Sequence, residues 1–167
     1  MSGMDGNQAA YIFNVTTDAF TQALVDPSQS GSPAITFAAG QQYTITIAAA
    51  VAEAAPGPTD ELLFGLYYTD TGGQEVVAQT ILRNDGTQGL SSTQFNDYSA
   101  VSSVLDAADP AVGQQITVQV SAIGGGGGEF DFDNVRVSDV PEPASLAMLG
   151  LGAMVLLTRG RCRGPCR

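Results

Sequence analysis

The stretch Gln42–Ala50 reads QYTITIAAA. Tyr43, Ile45 and Ile47 alternate there with Thr44 and Thr46, which is the pattern of a half-buried β-strand, because successive side chains of a strand point to opposite faces. The same period runs outward in both directions, interrupted by clusters of Gly, Pro, Asn and Asp that punctuate turns. Upstream, Ala9–Val15 puts Ala9, Tyr11, Phe13 and Val15 on one face of a strand. A short strand over Ala19–Val25 is closed by Asp26-Pro27, and Ala39-Gly40 turns the chain into Gln42. Downstream, Pro56, Gly57 and Pro58 make Glu53–Asp60 a loop.

Glu61–Thr69 is apolar on both faces, which predicts a central strand. Asp70–Gly73 supplies a hairpin turn, Gln74–Leu82 a returning strand, and Asn84-Asp85-Gly86 another turn. Gly86–Thr93 is polar and reads as a surface loop. Strands are expected over Tyr98–Leu105 and Gln114–Ala122, separated by the loop Asp106–Gly113. The five-glycine run Gly124–Gly128 resembles a phosphate cradle only superficially, since neither Lys nor Ser/Thr follows it and no helix opens after it. It reads as a flexible hairpin connection. In the last strand, Glu129–Val137 (EFDFDNVRV), Phe130 and Phe132 share a face, and Val135 and Val137 resume one position out of phase. That slip predicts a β-bulge at Asp133-Asn134. About eight short strands make the body an all-β fold, an antiparallel β-sandwich of jelly-roll type spanning residues 1–139.

The chain has 167 residues, 17 Asp plus Glu against 6 Lys plus Arg, a net charge of −11 and no histidine. Lysine is absent, and of the arginines only Arg83 and Arg136 lie in the body. So acidic a surface excludes nucleic acid as a partner, because phosphate backbones require a basic one. Without His, Lys or Cys in the body, a Ser-His-Asp or Cys-His nucleophile cannot be assembled. No disulfide braces the body either, because Cys162 and Cys166 both lie in the C-terminal tail.

The tail, residues 140–167, has three parts in a fixed order: Val140-Pro141-Glu142-Pro143, an apolar run from Ala144 to Leu157, and the cluster Arg159, Arg161, Arg163 and Arg167. The prolines fix φ and lack N–H donors, so they end regular structure and favour an extended peptide. The apolar run is uncharged and rich in helix formers. Its length falls short of the roughly 20 residues of a standard span, although Thr158 and snorkelling arginines extend it. A buried core helix is the alternative, but it leaves the one-sided placement of the arginines without a reason.

This order closely resembles the PEP-CTERM protein-sorting signal of exported bacterial proteins, carried by Val140–Pro143, Ala144-Ser145-Leu146, Leu149-Gly150-Leu151-Gly152 and the arginine-rich end. The resemblance implies a single C-terminal helix held at the inner membrane through Ala144, Leu146, Leu149, Leu151, Val155 and Leu157, with the arginines on the cytoplasmic side. It also implies an exosortase as partner, cutting near the Pro-Glu-Pro step. Such proteins are exported, yet MSGMDGNQAA lacks the charged and apolar regions of a secretory signal. The readings left open are a start inside a longer reading frame, an unusual export route, and retention in the cytoplasm.

A second resemblance rests on Asp5-Gly6-Asn7-Gln8-Ala9-Ala10-Tyr11, Ala39-Gly40-Gln41-Gln42-Tyr43-Thr44-Ile45 and Phe132-Asp133-Asn134-Val135-Arg136-Val137. These look like the galactose-binding-like, carbohydrate-binding jelly-roll domains that often precede PEP-CTERM tails. Relatives carry one more strand ahead of the DGNQAAY stretch. The resemblance implies polysaccharide as a ligand and a structural Ca²⁺ near the end of the last strand, held by Asp5, Glu129, Asp131 and Asp133, whose carboxylates suit that cation. The competing reading gives Asp133 to the bulge backbone and leaves the other acids solvated. Tyr67, adjacent to Tyr68 on a strand and so facing the other way, is the candidate sugar platform, against packing beneath a second layer.

The sequence thus points to a non-catalytic exported surface or extracellular-matrix protein. A glycan-active enzyme with paired carboxylates and a permanently anchored membrane protein are the alternatives.

Overall fold

Eight strands carry the body: β1 (Ala10–Phe13), β2 (Asp18–Ala23), β3 (Gln41–Val51), β4 (Glu61–Asp70), β5 (Gly73–Arg83), β6 (Asn96–Val104), β7 (Thr117–Ile123) and β8 (Glu129–Pro141). The computed structural model describes residues 10–13, 18–51, 56–86, 90–124 and 128–141. The expected C-terminal helix lies outside these residues, as do Asp5, Glu142, Pro143 and the arginine cluster. Among the described residues no helix is long and apolar enough to cross a membrane.

The strands form two four-stranded antiparallel sheets, ordered β1-β8-β3-β6 and β2-β7-β4-β5. Consecutive strands alternate between sheets except at β4–β5, which is the double Greek-key winding of a jelly roll. The hairpin at Asp70–Gly73 is that exception. Asp70 pairs with Gly73, and the Asp70 carboxylate accepts the Gly72 N–H at 2.6 Å. The five-glycine run proves to be a crossing rather than a hairpin, because it joins β7 of one sheet to β8 of the other.

Alternation sets the core as expected. Ile45 and Ile47 of β3 and Leu62, Phe64 and Leu66 of β4 are fully buried, and they meet Val120 of β7 and Phe130 of β8 between the sheets. Strand β4 is central, flanked by β7 and β5. The first strand turns out in the other phase: Ile12 enters the core at 3 % exposure, while Tyr11 faces out at 55 %.

Strand β7 starts later than expected. Residues ahead of it pair instead with the long β2–β3 connection, through the Thr36↔Gln115 bridge and the Ile116 N–H, which donates to Ile35 O at 2.9 Å. Strand β8 runs four residues beyond the expected Val137, to Pro141. Its bulge lies where the phase slip placed it. The register against β3 shifts between Thr46↔Arg136 and Ala48↔Asp133, and Asn134 takes φ 50°, a left-handed conformation that Asn tolerates better than most residues.

Candidate functional site

Strand β8 carries four acidic side chains, Glu129, Asp131, Asp133 and Asp139, together with Arg136. On its inner face Phe130 and Phe132 enter the core; on its outer face stand Glu129 and Asp131. Asp131 lies directly opposite Tyr11 of β1 on one side and Ala50 of β3 on the other, and residues opposed in a ladder share a face. Ala48 and Ala50 also point outward, yet they are buried beneath Phe95 in a small apolar cluster. The outer face therefore combines one exposed aromatic ring, a short carboxylate row and an apolar margin.

This setting raises the pKa of both acids. For Asp131 the cause is burial; for Glu129 it is burial first and then the Asp131 charge. A carboxylate whose folded pKa is raised favours the folded state while protonated, and it loses that contribution as pH rises through the folded pKa. Replacing Asp131 by Asn is therefore expected to raise stability at pH 7 by up to about 1 kcal/mol, the scale of a partly solvated charge. The gain should shrink as pH falls into the carboxyl range. Denaturant melts at pH 7 and pH 4 check this, and a gain that grew on acidification would contradict it.

Of the expected calcium set, Asp5 lies outside the described residues, and its other three members sit on β8. Among the described residues no group of three or more acidic side chains is close enough to hold a metal ion. Glu129, Asp131 and Asp133 are spaced two residues apart on one extended strand, so the outer two are separated by about 13 Å of backbone. Asp133 is also engaged, since its Oδ1 accepts the Asn134 N–H at 2.7 Å and holds the bulge.

Tyr67 is not an exposed platform. It is only 5 % exposed, at a point where the register of β4 on β5 shifts between Leu66 and Tyr67, and burial pushes its hydroxyl pKa up. Among the described residues the exposed rings are Tyr11 and Phe20, at 55 % and 51 %. The signal for Tyr11 was present but weak: in Tyr11-Ile12 two apolar neighbours compete for the core, and only the pairing with β8 decides between them. Phe20 borders an open apolar cleft of about 490 Å³ between the sheets, lined also by Leu24, Val118, Phe132 and Val137. Its ring meets Phe132 edge-on at 5.4 Å.

Both described cations are paired on the surface, Arg83 with Glu61 and Arg136 with Asp97. The body thus presents no basic patch for a polyanion.

The far end of β8 leads directly into the tail. Asp139, Val140 and Pro141 stand opposite Tyr43, Gln42 and Gln41 of β3. A family profile described as the PEP-CTERM protein-sorting motif matches residues 139–161. The chain carries a PEP-CTERM sorting motif. The match takes in Val140–Pro143, the apolar run and the arginines Arg159 and Arg161. Arg163 and Arg167 lie beyond it. No curated protein matches the sequence.

Among solved structures, a cyclase from Fischerella sp. TAU is similar, at 16 % identity and a TM-score of 0.61 over 85 % of this chain and 68 % of that one. The same kind of protein in complex with 4-(1H-indol-3-yl)butan-2-one gives 15 % identity and 0.59 over 85 % and 68 %. The chain spans about two thirds of these cyclases, and the likeness is one of fold. A structure described as a family 16 carbohydrate-binding module aligns more loosely, at 13 % identity and 0.47 over 80 % of this chain and 77 % of that one.

Proposed function

We propose that this PEP-CTERM protein is an exported, non-catalytic surface or extracellular-matrix component. It is held transiently at the inner membrane by its tail, processed there by an exosortase near Pro141–Pro143, and carries a jelly-roll body that binds polysaccharide. The observation that carries this reading is the sorting motif at residues 139–161, placed flush against the end of a folded β-sandwich. A tail with one address and a body without His, Lys or Cys suit a cargo better than a catalyst.

For the binding role, the best-supported surface is the outer face of β1 and β8. The exposed Tyr11 ring offers a flat apolar platform for a sugar face, and the Asp131 and Glu129 carboxylates beside it accept hydrogen bonds from hydroxyls. Tyr11→Ala is expected to weaken co-sedimentation with the host's matrix polysaccharide by about tenfold or more, as the loss of a central aromatic anchor does. Unchanged co-sedimentation would remove this face from the account.

The runner-up, a glycan-active enzyme, finds its best pair in the same Glu129 and Asp131. Both rise from one sheet face two residues apart, so they meet a ligand from the same side, whereas glycoside hydrolysis needs carboxyls flanking the scissile bond. Reducing-sugar release from the polysaccharide that the body binds would favour the enzyme. Cell fractionation tests the sorting half: the body should leave the inner membrane for the surface or medium. Permanent residence of the full chain in the membrane would favour a fixed anchor.

A further inference from the structure

The sorting motif and the last strand share residues. The motif begins at residue 139, and β8 continues to Pro141 with its final three residues in register against β3. The body side of the motif is therefore the last rungs of a sheet.

The two strands differ in how firmly they are held there. On the β3 side, Leu105 N–H donates to Gln41 O at 3.0 Å, and Gly40 N–H donates to Leu105 O at 2.8 Å. Tyr43 N–H donates to the buried Ser102 hydroxyl at 2.9 Å, and Gln42 Nε2 to Ser102 O at 3.0 Å. The Tyr43 hydroxyl accepts the Ala38 N–H at 2.7 Å, and its ring stands edge-on to Phe37 at 5.0 Å. Among the described residues the β8 end has no such side-chain bracing. Ser138, Asp139 and Val140 are exposed, with Val140 at 50 %, and Pro141 has no N–H to give to the ladder.

An enzyme that cuts a peptide grips it extended, through the same backbone groups that a neighbouring strand uses. While β3 holds Asp139–Pro141, the Val140 backbone groups are taken up in the ladder opposite Gln42, since Gln41 and Tyr43 turn theirs toward β6, and that edge cannot be gripped. We propose that the end of β8 is a latch on the sorting motif: Asp139–Pro141 must leave β3 before the membrane enzyme can engage the Pro-Glu-Pro step, and processing follows that local opening. This rests on the reading of the chain as cut near that step. Strand ends open at a small fraction of the global unfolding free energy, so the body stays folded while the latch lifts. Pairing with the braced β3 then makes the folded body itself slow its own release from the membrane.

The test runs in the native host on the full chain. Gln42 and Val140 lie directly opposite each other, within the Cα separation that a disulfide accepts. Replacing both by Cys, with Cys162→Ser and Cys166→Ser, allows one cross-link that closes the latch in the oxidising compartment. The locked protein is expected to mature about tenfold or more slowly than the Gln42→Cys single variant, with reductant restoring the rate. Ser138→Pro lies just outside the motif and takes one donor from the ladder, and it is expected to mature several-fold faster. Maturation of locked and single variants at equal rates, or no acceleration by Ser138→Pro, overturns the latch. No maturation of the unaltered chain, with or without reductant, would instead overturn the sorting reading beneath it.

Discussion

Phe130→Ala is expected to cost the body about 4 kcal/mol, within the range measured for emptying a buried phenylalanine site. Phe130 is fully buried and sits mid-sheet, opposite Ile12 of β1 and Val51 of β3. Its ring reaches the layer between the two sheets, where the core residues of β4 and β7 meet those of β3 and β8. Two hydrogen-bonded sheets cannot collapse locally onto a cavity of that size, so both the transfer and the cavity penalties are felt. With no disulfide in the body and a net stability on the order of 10 kcal/mol for a domain of this kind, the loss would be a large share of the total. Thermal melts should show a fall in Tm on the order of 10 °C. A fall within a degree or two would mean that the sheets repack freely and that the layer is not a fixed core.

The second large effect belongs to Gly65, on the outer face of the central strand β4. A Cβ there would sit 2.3 Å from Ala78 O and 3.0 Å from the Gln79 Cβ, both on β5. The nearer obstacle is backbone, which cannot swing aside like a side chain. Gly65→Ala must therefore part β4 from β5 next to the bulge at Leu66/Tyr67, at a cost of about 3 kcal/mol, the upper end for overpacking. The β4–β5 hairpin is the one place where consecutive strands share a sheet, so its loosening should also speed amide exchange along β5. Unaltered stability would show that the approach relaxes cheaply.

Much of this architecture is legible in the residues. Ile45 and Ile47 announce a half-buried strand, and the two-sided apolarity of Glu61–Thr69 announces a central one. The phase slip after Phe132 announces a bulge, which Asp133 stabilises by bonding the Asn134 N–H. What stayed hidden depends on partners distant in sequence. Whether Tyr11 or Ile12 enters the core is decided by pairing with β8. The burial of Tyr67 comes with a register shift on β5. The composition of the glycine run does not give its destination, so a crossing between sheets reads like a hairpin. The acids of β8 suggest calcium by their type, but an extended strand spreads Glu129, Asp131 and Asp133 along its length, and Asp5 lies outside the described residues. The β8 extension to Pro141 was masked because proline usually ends a strand, and here it does so inside the sorting motif.

A chain delivered to a membrane and released by a cut near Pro141–Pro143 carries the record of that cut at its mature C-terminus. Intact mass and C-terminal sequencing of the protein recovered from its native cells read that end. The expected product is a mature form in the surface or secreted fraction that ends near the Pro-Glu-Pro step and lacks Cys162, Cys166 and Arg167. A protein still ending at Arg167, in the membrane or in the cytosol, would contradict it.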